Sequence, residues 1–209
     1  MDMATTRTAP DSTYKIYDAL FALEEDIITP EDSLISWNYE DYPFEIWEQD
    51  QTLQTAMSGS VNWYFETLDD QIGKDGIQSY IQKIGYGNQD TSADLSSYWM
   101  ESSLKISPVE QVELLNAFYQ NTFDFDPENI QTVKDSLCLS VSGAGTLYGK
   151  TGTGRVDGQD RNGWFIGFIE TPDNTYFFST NIQSETNATG SNTAKMTLSI
   201  LSQLDLWQQ

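Results

Sequence analysis

The feature that most constrains the fold of this chain is a change of periodicity at Gly143. Beyond it, TLYGKTGTG, GWFIGFIE and NTYFFSTNIQ are aromatic or β-branched runs, and Thr171-Pro172-Asp173 between the last two reads as a hairpin turn. Three antiparallel strands are the economical interpretation. The tail TAKMTLSILSQLDLW then returns to helical spacing, which predicts a helix that packs Met196, Ile200, Leu201 and Leu204 against one face of the sheet. A chain of 209 residues can bury a substantial core, and one domain over residues 1–209 is expected.

Before Gly143 the pattern is helical. PDSTYKIYDALFALEE predicts a first helix opening at Ser12, and Ile28 to Gln51 reads as a long structured connection. TLQTAMSGSVNWYFETL predicts two helical pieces parted at Ser58-Gly59-Ser60, and Ile77 to Ile84 predicts a short helix ended by Gly85. Ser107-Pro108-Val109-Glu110 is a capping box with proline at the first helical position, starting a helix to about Asn121. A further short helix is expected near Ile130 to Leu137.

Composition removes several classes of function. With 32 acidic and 10 basic residues the net charge is −22, which repels phosphate backbones and argues against nucleic-acid binding. The single Cys138 excludes an intrachain disulfide framework, and its setting in SLCLSV suggests a buried small hydrophobe. Histidine is absent, so a Ser-His-Asp triad and histidine metal ligands are ruled out. Acid–base work at neutral pH must fall to lysine, tyrosine or a carboxylate of shifted pKa.

Two lysines then stand out. Lys15 follows Ser12 by three residues, so the two side chains are neighbours on a first helical turn, where an amine can activate a hydroxyl. A plain N-terminal capping serine is the competing reading. About 0.7 Ser-x-x-Lys pairs are expected by chance, and a second copy, Ser102 to Lys105, merely precedes a helix. Lys150-Thr151-Gly152 is sharper, with about 0.05 expected by chance. Its competing reading is a solvated lysine on an edge strand. Ser60-Val61-Asn62 gains weight only from the order Ser-x-x-Lys, Ser-x-Asn, Lys-Thr-Gly.

In that order the chain resembles the penicillin-recognising serine family, and more closely its class D β-lactamase branch together with the sensor domains of BlaR/MecR-type transducers. The resemblance runs from about Ala9 to the C-terminus through STYK, SVN, YGN, YWMESSLKISPVEQV, KTGTG and GWFIGFIE. It implies a β-lactamase/transpeptidase-like α/β (α+β) fold, an antiparallel sheet flanked by helices. It also implies that Ser12 is the nucleophile opening a β-lactam, and that Lys15 is its base, in a pocket that depresses its pKa or carboxylates it with CO₂. Ser60 would pass a proton to the leaving nitrogen, with Lys150 supporting that transfer and attracting the ligand carboxylate. Thr151 and Thr153, beside Gly152, would hydrogen-bond the ligand, and the backbone N–H groups of Ser12 and Thr153 would form the oxyanion hole. Trp99 matches the tryptophan that hydrogen-bonds a carboxylated lysine, with core packing as the alternative. Tyr86, Gly87 and Asn88 are expected to be a structural loop bordering the site.

The departures from the family pattern shape the functional expectation. Class D hydrolases usually carry an apolar residue where Asn62 stands, and an amide there can hold the lysine and disfavour its carboxylated form. Asn62 therefore points to a β-lactam sensor that stays acylated, displayed outside the membrane and coupled to a transmembrane signalling module. A class D β-lactamase is the alternative, followed by a D-alanyl-D-alanine peptidase and a degenerate interaction module. No arginine stands in QSETNATGSNTAKM to anchor a carboxylate, and Arg155 and Arg161 are poor substitutes by position. Only MDMATTRTAPD precedes Ser12, where family members have N-terminal strands. A sheet short of two strands, with exposed edges that a second copy could pair, is expected. No metal and no other cofactor is expected.

Overall fold

The computed structural model describes residues 2–208. Its sheet has four antiparallel strands in sequential order: β1 (Cys138–Ser142), β2 (Gly145–Val156), β3 (Gln159–Glu170) and β4 (Thr175–Gln183). Three of these match the expected runs. The fourth, β1, is a short outer strand whose residues are all exposed, so Cys138 lies at the surface and is not the buried hydrophobe its apolar neighbours suggested. With nothing packed on it, β1 has no alternating pattern by which to be read.

The pleat of β2 and β3 divides the core. Tyr148, Trp164, Ile166 and Phe168 join the main core with the helices that precede the sheet, whereas Leu147 and Ile169 form a second cluster with Leu201 and Trp207. The paired residues Lys150↔Ile166 and Gly152↔Trp164 lie on the first face, and Thr153↔Gly163 on the second.

The first helix is preceded by a tight turn, Asp11–Thr13, and α1 proper runs Lys15–Glu24, with every residue from Lys15 to Leu23 buried. It packs between α3 (Asn62–Ile84) and α5 (Pro127–Ser136). The parting at Ser58-Gly59-Ser60 is real: α2 (Leu53–Gly59) ends on Ser60 in the left-handed region, φ 51°. The expected short helix at Ile77 is the second half of α3, beyond a break at Gly73 (φ 75°), and it ends on left-handed Gly85. α4 (Pro108–Tyr119) starts with the expected capping box, Ser107 and Glu110 satisfying each other's backbone N–H groups.

α6 (Gly190–Gln203) covers β3 as expected, but with a different face. Gly190, Thr193, Thr197 and Leu201 are buried, while Met196, Ile200 and Leu204 are about half exposed or more. The reason is close approach. A Cβ at Gly163 would meet Thr193 Oγ1 and the Ala188 and Thr189 carbonyls, and one at Gly190 would meet Gly152 O and the Thr151 Cβ. Only small side chains fit there, and the threonines satisfy their hydroxyls locally, Thr197 Oγ1 donating to Thr193 O at 2.8 Å.

Candidate active site

β1 pairs with β2 only from Gly145 to Tyr148, so the Lys150–Arg155 half of β2 has β3 on one side and faces a cleft on the other. Across that cleft stand the Asp11–Thr13 turn and the α2–α3 junction. Ser12, Ser60, Asn62, Thr151, Gly152, Thr153 and Arg155 line one cavity of about 460 Å³, with Phe44, Ile46 and Trp47 of the long connection as its apolar wall. Sequence order alone placed the Ser-x-x-Lys, Ser-x-Asn and Lys-Thr-Gly motifs in one site, and the structure brings them together.

The turn that presents Ser12 is held from several sides. Asp11 has φ 48°, a strained value for a residue with a side chain, and its N–H donates to Trp99 O at 3.0 Å. Its carboxyl accepts from Asn162 Nδ2 at 2.9 Å and abuts Glu101. Burial, reinforced by Glu101, pushes the Asp11 carboxyl well above the usual range. Asn162 Nδ2 also donates to Glu101 Oε1 at 2.8 Å, so one amide bridges the two carboxyls.

Lys15 is fully buried, and its Nζ lies 3.0 Å from Ser12 Oγ and 2.8 Å from Asn62 Oδ1. The Asn62 amide nitrogen points to Met100 Sδ at 3.3 Å, which leaves the oxygen for the lysine. Nζ also sits 4.0 Å above the centre of the Trp99 ring. Burial first, and the charge of Lys150 second, hold the Lys15 ammonium well below its ordinary pKa. A neutral amine has one lone pair and two N–H bonds, so it can accept the Ser12 proton while donating to Asn62.

Lys150 is 4% exposed, so it is not a solvated charge even though β1 does not reach this half of β2. Its Nζ donates to Ser60 Oγ and, at 3.1 Å, to Thr151 O, and burial lowers its pKa to about 7. Thr153 Oγ1 accepts from Gly190 N at 2.8 Å, tying the cleft strand to the start of α6. Ser102 and Lys105 lie in the loop before α4, and Lys105 is exposed. Asn88 braces that loop, accepting from Lys105 N and donating to Ser103 O, both at 2.8 Å, so YGN is structural as expected.

Trp99 is completely buried, and its indole N–H donates to Asp69 Oδ2 at 3.2 Å. This bears on a carboxylated Lys15. Asn62 presents an oxygen and the indole N–H is committed to Asp69, so the Ser12 hydroxyl is the one donor in contact with Nζ, a poor fit for an added anionic carboxylate with two oxygens to satisfy. Sequence reasoning missed Asp69, which lies inside a helical run with no motif around it. Arg155, set aside by position, lines both cavities that Ser12 lines, with its guanidinium paired to Asp160. Strand register carries Arg155 there, and that could not be read from its distance along the chain. Among the described residues no cluster of His, Cys, Asp or Glu is arranged to hold a metal.

Residues 1–202 match the penicillin binding protein transpeptidase domain. The chain is 52% identical over 198 residues to regulatory protein BlaR1 of Bacillus licheniformis, covering 95% of this chain and 33% of the relative. It is 42% identical over 200 residues to the methicillin resistance mecR1 protein of Staphylococcus aureus, covering 96% and 34%. The chain therefore spans about a third of the length of these curated relatives. Among solved structures it resembles the C-terminal domain of the Bacillus licheniformis BlaR penicillin-receptor, with a TM-score of 0.95, 50% identity, and 98% and 83% of the two chains covered. The BPu1 β-lactamase follows with a TM-score of 0.92 and 34% identity, covering 99% and 85%. The motifs, their convergence on one cleft and these likenesses agree: the chain belongs to the penicillin-binding protein transpeptidase family, on the branch shared by BlaR/MecR sensor domains and class D β-lactamases.

Proposed function

We propose that this chain is a β-lactam sensor domain, acylated on Ser12 and slow to release the adduct. The observation that carries it is the position of Lys15 Nζ between Ser12 Oγ and Asn62 Oδ1. Lys15 as the neutral amine takes the hydroxyl proton while Oγ bonds to the lactam carbonyl carbon. The ring C–N bond breaks, and its nitrogen receives a proton through Ser60, next to Lys150. The carbonyl oxygen is held by the backbone N–H groups of Ser12 and Thr153, and the ligand carboxylate by Lys150, Thr151 and Thr153. Release would need a base to activate water on the ester, and Asn62 occupies the lysine that would serve.

The sensor acts through a transmembrane segment that presents this domain outside the cell. Among the described residues no helix is long and apolar enough to cross a membrane. A class D β-lactamase is the second reading, supported by 34% identity over 203 residues to the probable β-lactamase YbxI of Bacillus subtilis, covering 97% of this chain and 74% of that protein. Intact mass after exposure to a penicillin separates the two. One adduct, mapping to Ser12, absent in Ser12→Ala and persisting for hours, is expected. Rapid release of opened antibiotic would favour the hydrolase, and an adduct on Ser102 would refute the site.

A further inference from the structure

On the side of Lys15 away from the cleft lies a sealed acidic cluster that the acylation chemistry does not use. Asp69, completely buried on α3, accepts from Tyr98 Oη at 2.9 Å and from Trp99 Nε1 at 3.2 Å. Asp18, one turn after Lys15 on α1, is also completely buried, and neither of its carboxyl oxygens meets a donor. Asp18 faces Asp69, and burial together with that neighbour pushes its carboxyl well above the usual range. A protonated Asp18 that donates to Asp69 satisfies both groups. Burial also raises the Asp69 carboxyl, to about 7, and in the structure its two oxygens are held by the Tyr98 hydroxyl and the Trp99 indole N–H.

This arrangement bears directly on Lys15. Carboxylation converts Lys–NH₂ and CO₂ into Lys–NH–COO⁻: the nitrogen lone pair forms the N–C bond and one proton leaves to solvent. The product is an anion with two new oxygens that need donors in a water-poor site. The Trp99 ring lies directly under Nζ, but its N–H is turned to Asp69 and so is not offered to those oxygens.

Resting on the acylation reading above, we propose that Asp69 is a positioning residue that retains the Trp99 indole N–H and thereby keeps Lys15 as an amine, competent to acylate and unable to support release. Asn62 blocks carboxylation from the cleft side and Asp69 blocks it from the core side. The two act on different atoms and are separable by mutation.

The test uses the full chain with Asp69→Ala and Asp69→Leu. Carboxylation of Lys15 is read in the free proteins by ¹³C NMR with labelled bicarbonate, and adduct lifetime by intact mass after benzylpenicillin. The alanine variant frees the indole N–H for the new carboxylate, so half-carboxylation is expected at about tenfold lower bicarbonate than in the native chain, the order for one charge-assisted hydrogen bond. Its adduct should shorten by a similar factor when bicarbonate is added. If the alanine variant does not fold, the leucine variant decides, because it keeps the volume and offers no acceptor to the indole; a shift in the same direction is expected. Unchanged carboxylation and lifetime in a folded, acylating variant would overturn the role of Asp69. Failure of the native chain to acylate would instead overturn the proposed function.

Discussion

Replacing Lys150 with methionine should make the protein less reactive and more stable at the same time. The side chain is 4% exposed, and its pKa falls from 10.5 to about 7 because burial disfavours the ammonium. A depression of roughly 3.5 units corresponds to about 5 kcal/mol of native-state penalty on the charged form. Methionine matches the stem in length and carries no charge. Against this gain, Ser60 Oγ and Thr151 O each lose a donor, which costs about 1–3 kcal/mol in all. The net gain is about 2–4 kcal/mol, or roughly 5–15 °C in Tm for a chain of this size.

The pH dependence identifies the cause. Below about pH 7 both the folded and the unfolded chains carry the Lys150 proton, so the native penalty is complete. Between about pH 7 and 10.5 the unfolded chain binds more protons than the folded one, and native stability rises with pH. The advantage of Lys150→Met should therefore be largest near pH 6 and shrink toward pH 9. Acylation by benzylpenicillin should fall by about 10- to 150-fold, the loss of one hydrogen bond to a charged group. Calorimetry across pH and stopped-flow acylation measure the two effects. A methionine variant less stable than the native chain at pH 6, or one acylating at the native rate, would refute the reasoning.

Two further predictions concern the cleft and its support. Asn62→Val removes the oxygen 2.8 Å from Lys15 Nζ and should shorten adduct lifetime about tenfold, further with bicarbonate; intact mass over hours checks this, and an equally persistent adduct would count against the role given to Asn62. Gly163→Ala places a Cβ against Thr193 Oγ1 and two carbonyls of the Ala188–Thr189 segment, and should cost about 1–3 kcal/mol in thermal unfolding by prising α6 from β3.

Legibility differed sharply between the helices, the sheet and the site. Helix boundaries followed from chemistry that acts within a few residues: the Ser107 capping box, the left-handed ends at Ser60 and Gly85, and proline at the start of α4. β1 escaped notice because an outer strand exposed on both faces shows no alternation. The face of α6 was misread because a hydrophobic stripe reports where burial would be most favourable, whereas glycines on the partner strand decide how close a helix can come. In the cleft, the residues carrying motifs were legible by order. Asp11, Asp69 and Glu101 were not, because what makes them part of the site is a contact with a segment far away in sequence.

Lys15 stays available as a neutral amine because burial and Lys150 lower its pKa and no carboxylate touches it. Among the described residues the four ion pairs, Arg7–Glu110, Lys134–Glu170, Arg155–Asp160 and Arg161–Glu185, all exclude Lys15 and Lys150. A carboxylate in contact with Lys15 Nζ would favour the ammonium, raise its pKa and leave no lone pair for the Ser12 proton. Asp18 and Asp69 are near enough to act on Lys15 electrostatically, yet neither forms an ion pair with it, and Asp69 is reached only through the indole of Trp99. Each buried group is relieved by losing its charge or sharing a proton: Lys15 as amine, Lys150 near neutrality, Asp18 against Asp69. A carboxylate in contact with Lys15 would have fixed its charge and removed the base. Neutralisation by burial leaves the Ser12 proton somewhere to go.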